Sequence, residues 1–166
     1  MTLAALVGAQ QAFSLQADGG QPPRTGVLAE SRVICEYLND LADGKLFPKL
    51  QAQHWRALGD QGTADGILAA TPLSRYELAV RPPEKLWLPG SMASWTRSKP
   101  CFRDIEGCPM LGERVDIGTI IFACAFGYLD LRFPDFDWRS RHPKCAAWFT
   151  SFEARTSMQA KRHSVA

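Results

Sequence analysis

The sequence predicts a mainly α-helical protein. A helical bundle is expected over residues 45–166, preceded over residues 1–44 by a smaller unit whose first 26 residues carry little pattern. Three observations carry this. Apolar residues recur at helical spacing around residues 32–42, 52–79 and 143–152. Residues 117–129 are apolar nearly all round, as in a helix central to its domain. Residues 2–16 offer at most one short helix or strand.

Taken in order, Asp18-Gly19-Gly20-Gln21-Pro22-Pro23 is a loop by composition. In residues 32–42, Val33, Ile34, Tyr37, Leu38 and Leu41 form a stripe expected to be buried. Ser31 is the expected N-cap, and Gly44 the residue past the helix end that takes a left-handed conformation. From 52 to 79 the face is Trp55, Leu58, Ala64, Ile67, Leu68, Leu73 and Tyr76. Pro72 lacks a backbone donor, so two helical pieces meeting near Thr71-Pro72 are expected. Pro89, Gly90 and Pro100 predict fragments at 83–88 and 91–98, with Trp87, Met92 and Trp95 inward. Residues 114–130 form the core helix, where Gly118 and Gly127 let neighbours approach closely. After an aromatic loop at 132–138, His142-Pro143 opens the last helix, with Ala146, Trp148, Phe149 and Phe152 toward the core.

Composition narrows the function. With 46% hydrophobic and 10% aromatic residues, the chain is not globally disordered. A net charge of +2 with alternating signs gives no reason to expect a nucleic-acid partner. The longest apolar run, 117–129, falls well short of the roughly twenty residues a membrane helix needs, so no membrane partner is expected. Cys35, Cys101, Cys108, Cys124 and Cys145 are odd in number and include no Cys-x-x-Cys pair. That pattern fits reduced thiols and a cytoplasmic location, and neither a disulfide framework nor a metal site.

The most informative stretch is Leu28-Ala29-Glu30-Ser31-Arg32-Val33-Ile34-Cys35-Glu36-Tyr37-Leu38. Free N–H groups at a helix start form a ready site for a carboxylate. Glu30, one residue earlier, can hold an ammonium. A carboxylate beside an ammonium is the end of an amino acid, although simple capping accounts for the same residues. Asp116, in the first turn of the core helix, is a structural acid that accepts backbone N–H bonds. His142 has no second histidine near it and reads as a helix junction rather than a base.

Glu30-Ser31-x-x-Ile34-x-x-Tyr37-Leu38 resembles the end of the thioredoxin-like domain of the glutathione transferase superfamily. Lys45-Leu46-Phe47-Pro48 looks like the linker leaving that domain. His54-Trp55-Arg56-Ala57-Leu58 and Ala64-Asp65-Gly66-Ile67-Leu68 resemble the first long helix of the second domain. Arg114-Val115-Asp116-Ile117-Gly118-Thr119-Ile120 and His142-Pro143-x-x-Ala146-Ala147-Trp148-Phe149 continue the likeness through later helices. The fold implied is a transferase C-terminal-like bundle after a truncated thioredoxin-like segment.

The resemblance implies that Glu30 and Ser31 hold the γ-glutamyl group of glutathione, a co-substrate, with no further cofactor. It makes Tyr76, in Arg75-Tyr76-Glu77, a candidate for the acceptor site, though half-buried packing also accounts for a tyrosine there. It implies an electrophilic small molecule as second substrate and a homodimer as assembly. Two departures stand out. The family's strand–helix–strand and its cis Val-Pro have no counterpart ahead of Glu30, so no catalytic residue is nominated. Glu113 stands where the family has a capping Ser or Thr three residues before Asp116. The expectation is therefore conjugating ancestry with activity reduced or lost. The alternatives are a non-catalytic helical interaction module and a truncated gene product.

Overall fold

The computed structural model describes residues 13–14, 27–79, 82–85 and 111–160, apart from the side chains of a few of them. Two short strands, β1 (Phe13–Ser14) and β2 (Val27–Leu28), pair antiparallel with Phe13 opposite Leu28. Helices follow: α1 (Ser31–Leu41), α2 (Gln51–Ala79), α3 (Ile117–Arg132), α4 (Trp138–Arg141), α5 (Pro143–Glu153) and α6 (Thr156–Gln159). A 3-10 turn, Pro83–Lys85, lies between α2 and α3. The mainly helical class is as the periodicity predicts. The expected fragments at 83–88 and 91–98 lie, beyond that turn, outside the described residues, as do Cys101 and Cys108.

The core is α3 wrapped by α2 and α5. Ile117, Ile121, Phe122, Ala125, Phe126 and Leu129 are all buried, so α3 does sit at the centre. Its closest partner is α2, through Ala57, Ala64 and Ile67. Gly118 makes this packing possible. A Cβ there would lie 2.5 Å from the Asp60 Cβ and 2.7 Å from the Ala57 carbonyl oxygen. Gly127 has no such role, since its nearest neighbour would be Phe149 at an ordinary 3.8 Å. On the far side Trp138 stacks on Phe126 with centroids 4.6 Å apart, and its indole N–H donates to Asp130 at 2.8 Å. Phe149 meets both rings, so the aromatic loop is pinned to the bundle as expected.

Four expectations about local structure need correction. The first concerns Pro72, which sits inside a continuous α2 rather than between two pieces. The missing donor would have served the Leu68 carbonyl, and the Thr71 hydroxyl donates to that carbonyl instead, at 3.2 Å. The neighbouring side chain thus supplies the bond that the ring removes.

The second concerns the start of α3. Asp116 is itself the N-cap, and its partner Thr119 lies three residues later. Thr119 N–H donates to Asp116 Oδ1 at 3.1 Å, and Asp116 N–H donates to Thr119 Oγ1 at 3.0 Å. The capping box is therefore complete rather than half lost, because Glu113 lies outside the helix. The third concerns the end of α1. Asp43, with φ 42°, takes the left-handed conformation expected of Gly44. Gly44 is needed for another reason: a Cβ there would meet Asn39 Oδ1 at 2.5 Å.

The fourth is burial. On α1 the buried residues are Ile34, Cys35 and Asn39, while Val33 and Leu41 face solvent. On α2, Trp55 is exposed, and small or polar residues (Ala57, Gln61, Thr71, Ser74) fill the inner face. Close helix–helix contact at Gly118 leaves room only for small side chains there, so the large ones are displaced outward.

Candidate functional site

The candidate site is the corner where β2 ends and α1 begins. Glu30 is the N-cap, one residue earlier than the sequence suggests, and Ser31 is the first helical residue. Glu30 has φ 76° and ψ 123°, a conformation that L residues rarely adopt. Holding it costs about 1–3 kcal/mol, and such strain gathers at functional sites. The kink turns the carboxylate back over the helix start. Glu30 Oε2 accepts from Arg32 N–H at 3.2 Å, and Oε1 accepts from Ser31 Oγ at a long 3.4 Å. The first bond of the helix ladder is Ile34 N–H to the Glu30 carbonyl, 3.1 Å. Ser31 and Val33 N–H therefore precede the ladder and find no partner within it. Glu30 is exposed and Ser31 half-buried, so an acid, a hydroxyl and unused N–H groups share one accessible turn.

Arg32 ties this corner to the bundle. Its Nε and Nη2 both lie 2.7 Å from Asp65 Oδ2 on α2. Burial pushes the Asp65 carboxyl pKa up, the Arg32 bond and charge pull it down, and nearby Glu30 adds to the rise. The net direction is upward. Beneath the corner, burial pushes the Cys35 thiol up to about 11, helped by the charges of Asp65 and Glu30. Cys124 on α3 is pushed up to about 12 by burial and then by Cys35. Neither is an activated nucleophile.

A second ion-pair cluster holds the start of α3. Arg114 Nη2 lies 2.8 Å from Asp60 on α2 and 2.7 Å from Asp116, so Asp116 works in the fold and not in chemistry. Tyr76 lies on α2, but its side chain is outside the described residues. Among the described residues no group of three His, Cys, Asp or Glu is placed to hold a metal ion. Among them, too, no helix is long and apolar enough to cross a membrane. A groove of about 540 Å³ lies at the opposite end of α1, and neither Glu30 nor Ser31 lines it. The corner is defined by its chemistry and its exposure.

Sequence reasoning singles out Glu30 and Ser31 but not the Arg32–Asp65 pair. Opposite charges 33 positions apart carry no periodic signal, and only the packing of α1 on α2 brings them together.

Residues 53–151, more than half of the chain, match the family model described as glutathione S-transferase, C-terminal domain. The chain belongs to the glutathione transferase family. A crystal structure of a glutathione transferase family member from Pseudomonas fluorescens Pf-5, with bound S-(propanoic acid)-glutathione, shares 40% identity and a TM-score of 0.80. That match covers 87% of this chain and 75% of the other. The same bacterium's family member with bound glutathione aligns equally well, over 86% of this chain and 72% of the other. A glutathione S-transferase from Methylobacterium radiotolerans in complex with glutathione sulfonate shares 25% identity, with a TM-score of 0.73 over 87% of this chain and 73% of that one. No curated protein matches the chain significantly. The structural likeness thus extends beyond residues 53–151, over 87% of the chain.

Proposed function

We propose that this transferase-family chain binds glutathione at the start of α1. The γ-glutamyl carboxylate takes the Ser31 hydroxyl and the N–H groups ahead of the helix ladder, and the ammonium sits against Glu30. The observation that carries this is the exposed, kinked Glu30–Ser31 turn with its unused donors. Binding needs little rearrangement. Ser31 Oγ gives up only a 3.4 Å contact to Glu30, and Glu30 Oε2 keeps its bond to Arg32 N–H. The helix dipole favours an anion at the same place. The glutathione bound in related structures supports the choice of ligand.

The chemistry belonging to this site is attack of the glutathione thiolate on an electrophilic small molecule, in a homodimeric, cytoplasmic protein. Tyr76, on the long helix, is the candidate for contact with the acceptor. We further propose that the 166-residue polypeptide conjugates weakly. Residues 1–29 of this polypeptide hold no Val-Pro, the pair whose cis bond the family uses in binding glutathione. Positioning and thiolate stabilisation each contribute several kcal/mol to such a barrier. Brisk glutathione-dependent turnover of a chlorodinitrobenzene-type electrophile by the purified chain would overturn this second part.

Calorimetry with glutathione on wild type and Ser31→Ala tests the first part. The lost hydroxyl should weaken binding by about 1–2 kcal/mol, between the values of a neutral hydrogen bond and one to a fully desolvated charge. Equal affinity in the two proteins would remove the assignment.

A further inference from the structure

We propose that the groove between the end of α1 and the start of α2 docks a basic peptide segment of a partner protein. The groove lies apart from the Glu30–Ser31 corner, and neither of those residues lines it. Its volume is about 540 Å³, and its walls carry Glu36, Asp40 and Asp43 against a single ammonium, that of Lys49. His54 and Trp55 close one side, their rings edge to face at 5.4 Å.

Three features point to this occupant. The first is charge. The last turn of α1 carries no basic residue, so the negative end of the helix dipole has acids beside it instead of the bases that would balance it. Asp40 and Asp43 raise the negative potential at a cost to the helix itself, and an incoming cation removes that cost. The second is apolar surface. Trp55, on the groove wall, is 62% exposed, and Leu41 and Leu50, next in sequence to lining residues, are 62% and 66% exposed. An exposed indole takes a guanidinium or ammonium on its face, and the leucines take aliphatic side chains. The third is Asn39. It is only 8% exposed and lines the groove. Its Oδ1 accepts from Leu46 N–H at 2.9 Å, while its Nδ2 has no partner among the described residues. That amide is a donor placed for a backbone carbonyl, which a peptide has and a polyamine lacks.

The test is fluorescence anisotropy with a labelled peptide, Ala-Arg-Leu-Lys-Arg-Leu, capped at both ends, with a Glu-for-Arg/Lys counterpart as control. The full chain is used, with the doubly substituted Glu36→Gln/Asp40→Asn and with Trp55→Ala, all at exposed positions. The basic peptide should bind, the acidic one should not, and each variant should weaken binding at least five-fold. Glutathione calorimetry should be unchanged in these variants, which keeps failure here distinct from failure of the Glu30–Ser31 assignment. Three results would overturn the proposal. One is equal binding of the two peptides, or no loss in the variants. Another is competition by spermidine at the same concentration as the peptide, which would mark a polyamine site. The last is a dimer by light scattering that Trp55→Ala dissociates, which would make a second copy the occupant.

Discussion

Gly118→Ala and Gly62→Ala add the same methyl group to two helices and should change stability in opposite directions. At Gly118 the new Cβ would stand 2.5 Å from the Asp60 Cβ and 2.7 Å from the Ala57 carbonyl oxygen. The Ala57 oxygen is backbone and cannot rotate away, so α2 and α3 must separate. Overpacking against fixed backbone falls in the upper part of the usual range, about 2–3 kcal/mol, while alanine returns about 1 kcal/mol of helix propensity. The net loss is about 1–2 kcal/mol. For a chain of this size that lowers Tm by about 2–8 °C. At Gly62, also helical, a Cβ would meet nothing within 4 Å. Only the propensity gain remains, and Tm should rise by about 2–4 °C. Scanning calorimetry on the three proteins at one pH reads both signs. If Gly118→Ala were as stable as Gly62→Ala, the two helices would not meet at this glycine and the described core would be wrong.

Asp65→Asn keeps the shape of the carboxyl and removes the charge that anchors Arg32, so glutathione binding by calorimetry should weaken several-fold; undiminished binding would show that the corner needs no anchor. The Asp65 carboxyl pKa is raised on folding. Its contribution to stability is therefore fully present below the unfolded value and is lost as pH rises through the folded one. The Tm of Asp65→Asn relative to wild type should be highest near neutral pH and fall as the pH drops toward 4, and a trend of the opposite sign would contradict the burial-driven shift. Cys35 and Cys124, with thiols pushed up to about 11 and about 12, should resist alkylation. At pH 8 no more than about one thiol in a thousand is ionised, so iodoacetamide followed by peptide mass mapping should leave both unmodified in native protein; rapid labelling of Cys35 would show that its pocket opens.

The helices were legible wherever apolar spacing alone decided them. Residues 32–42, 117–129 and 143–152 lie in helices because one face, or in α3 nearly every face, had to leave water. What escaped sequence reasoning were bonds between side chains and backbone. Pro72 reads as a break unless Thr71 is known to reach the Leu68 carbonyl, and Asp116 reads as half a cap unless Thr119 is recognised as its partner. Trp55 reads as core because sequence shows size but not the close approach at Gly118 that forces large residues outward. At the candidate site, Glu30 and Ser31 were visible because both lie within one turn at a helix start. The kink at Glu30 was not, since nothing in a glutamate announces a positive φ. Arg32 and Asp65 meet only through tertiary packing.

The hydroxyl that mends α2 has a consequence for how this sequence can change. Thr71 is dispensable in a version of the chain with alanine at position 72, because the ladder would then serve the Leu68 carbonyl directly. With Pro72 in place, losing Thr71 strands that acceptor at a part-buried position and empties the fully buried place of the Thr71 side chain. The two residues are an epistatic pair with a permitted order of substitution: proline must leave before threonine, and threonine must arrive before proline.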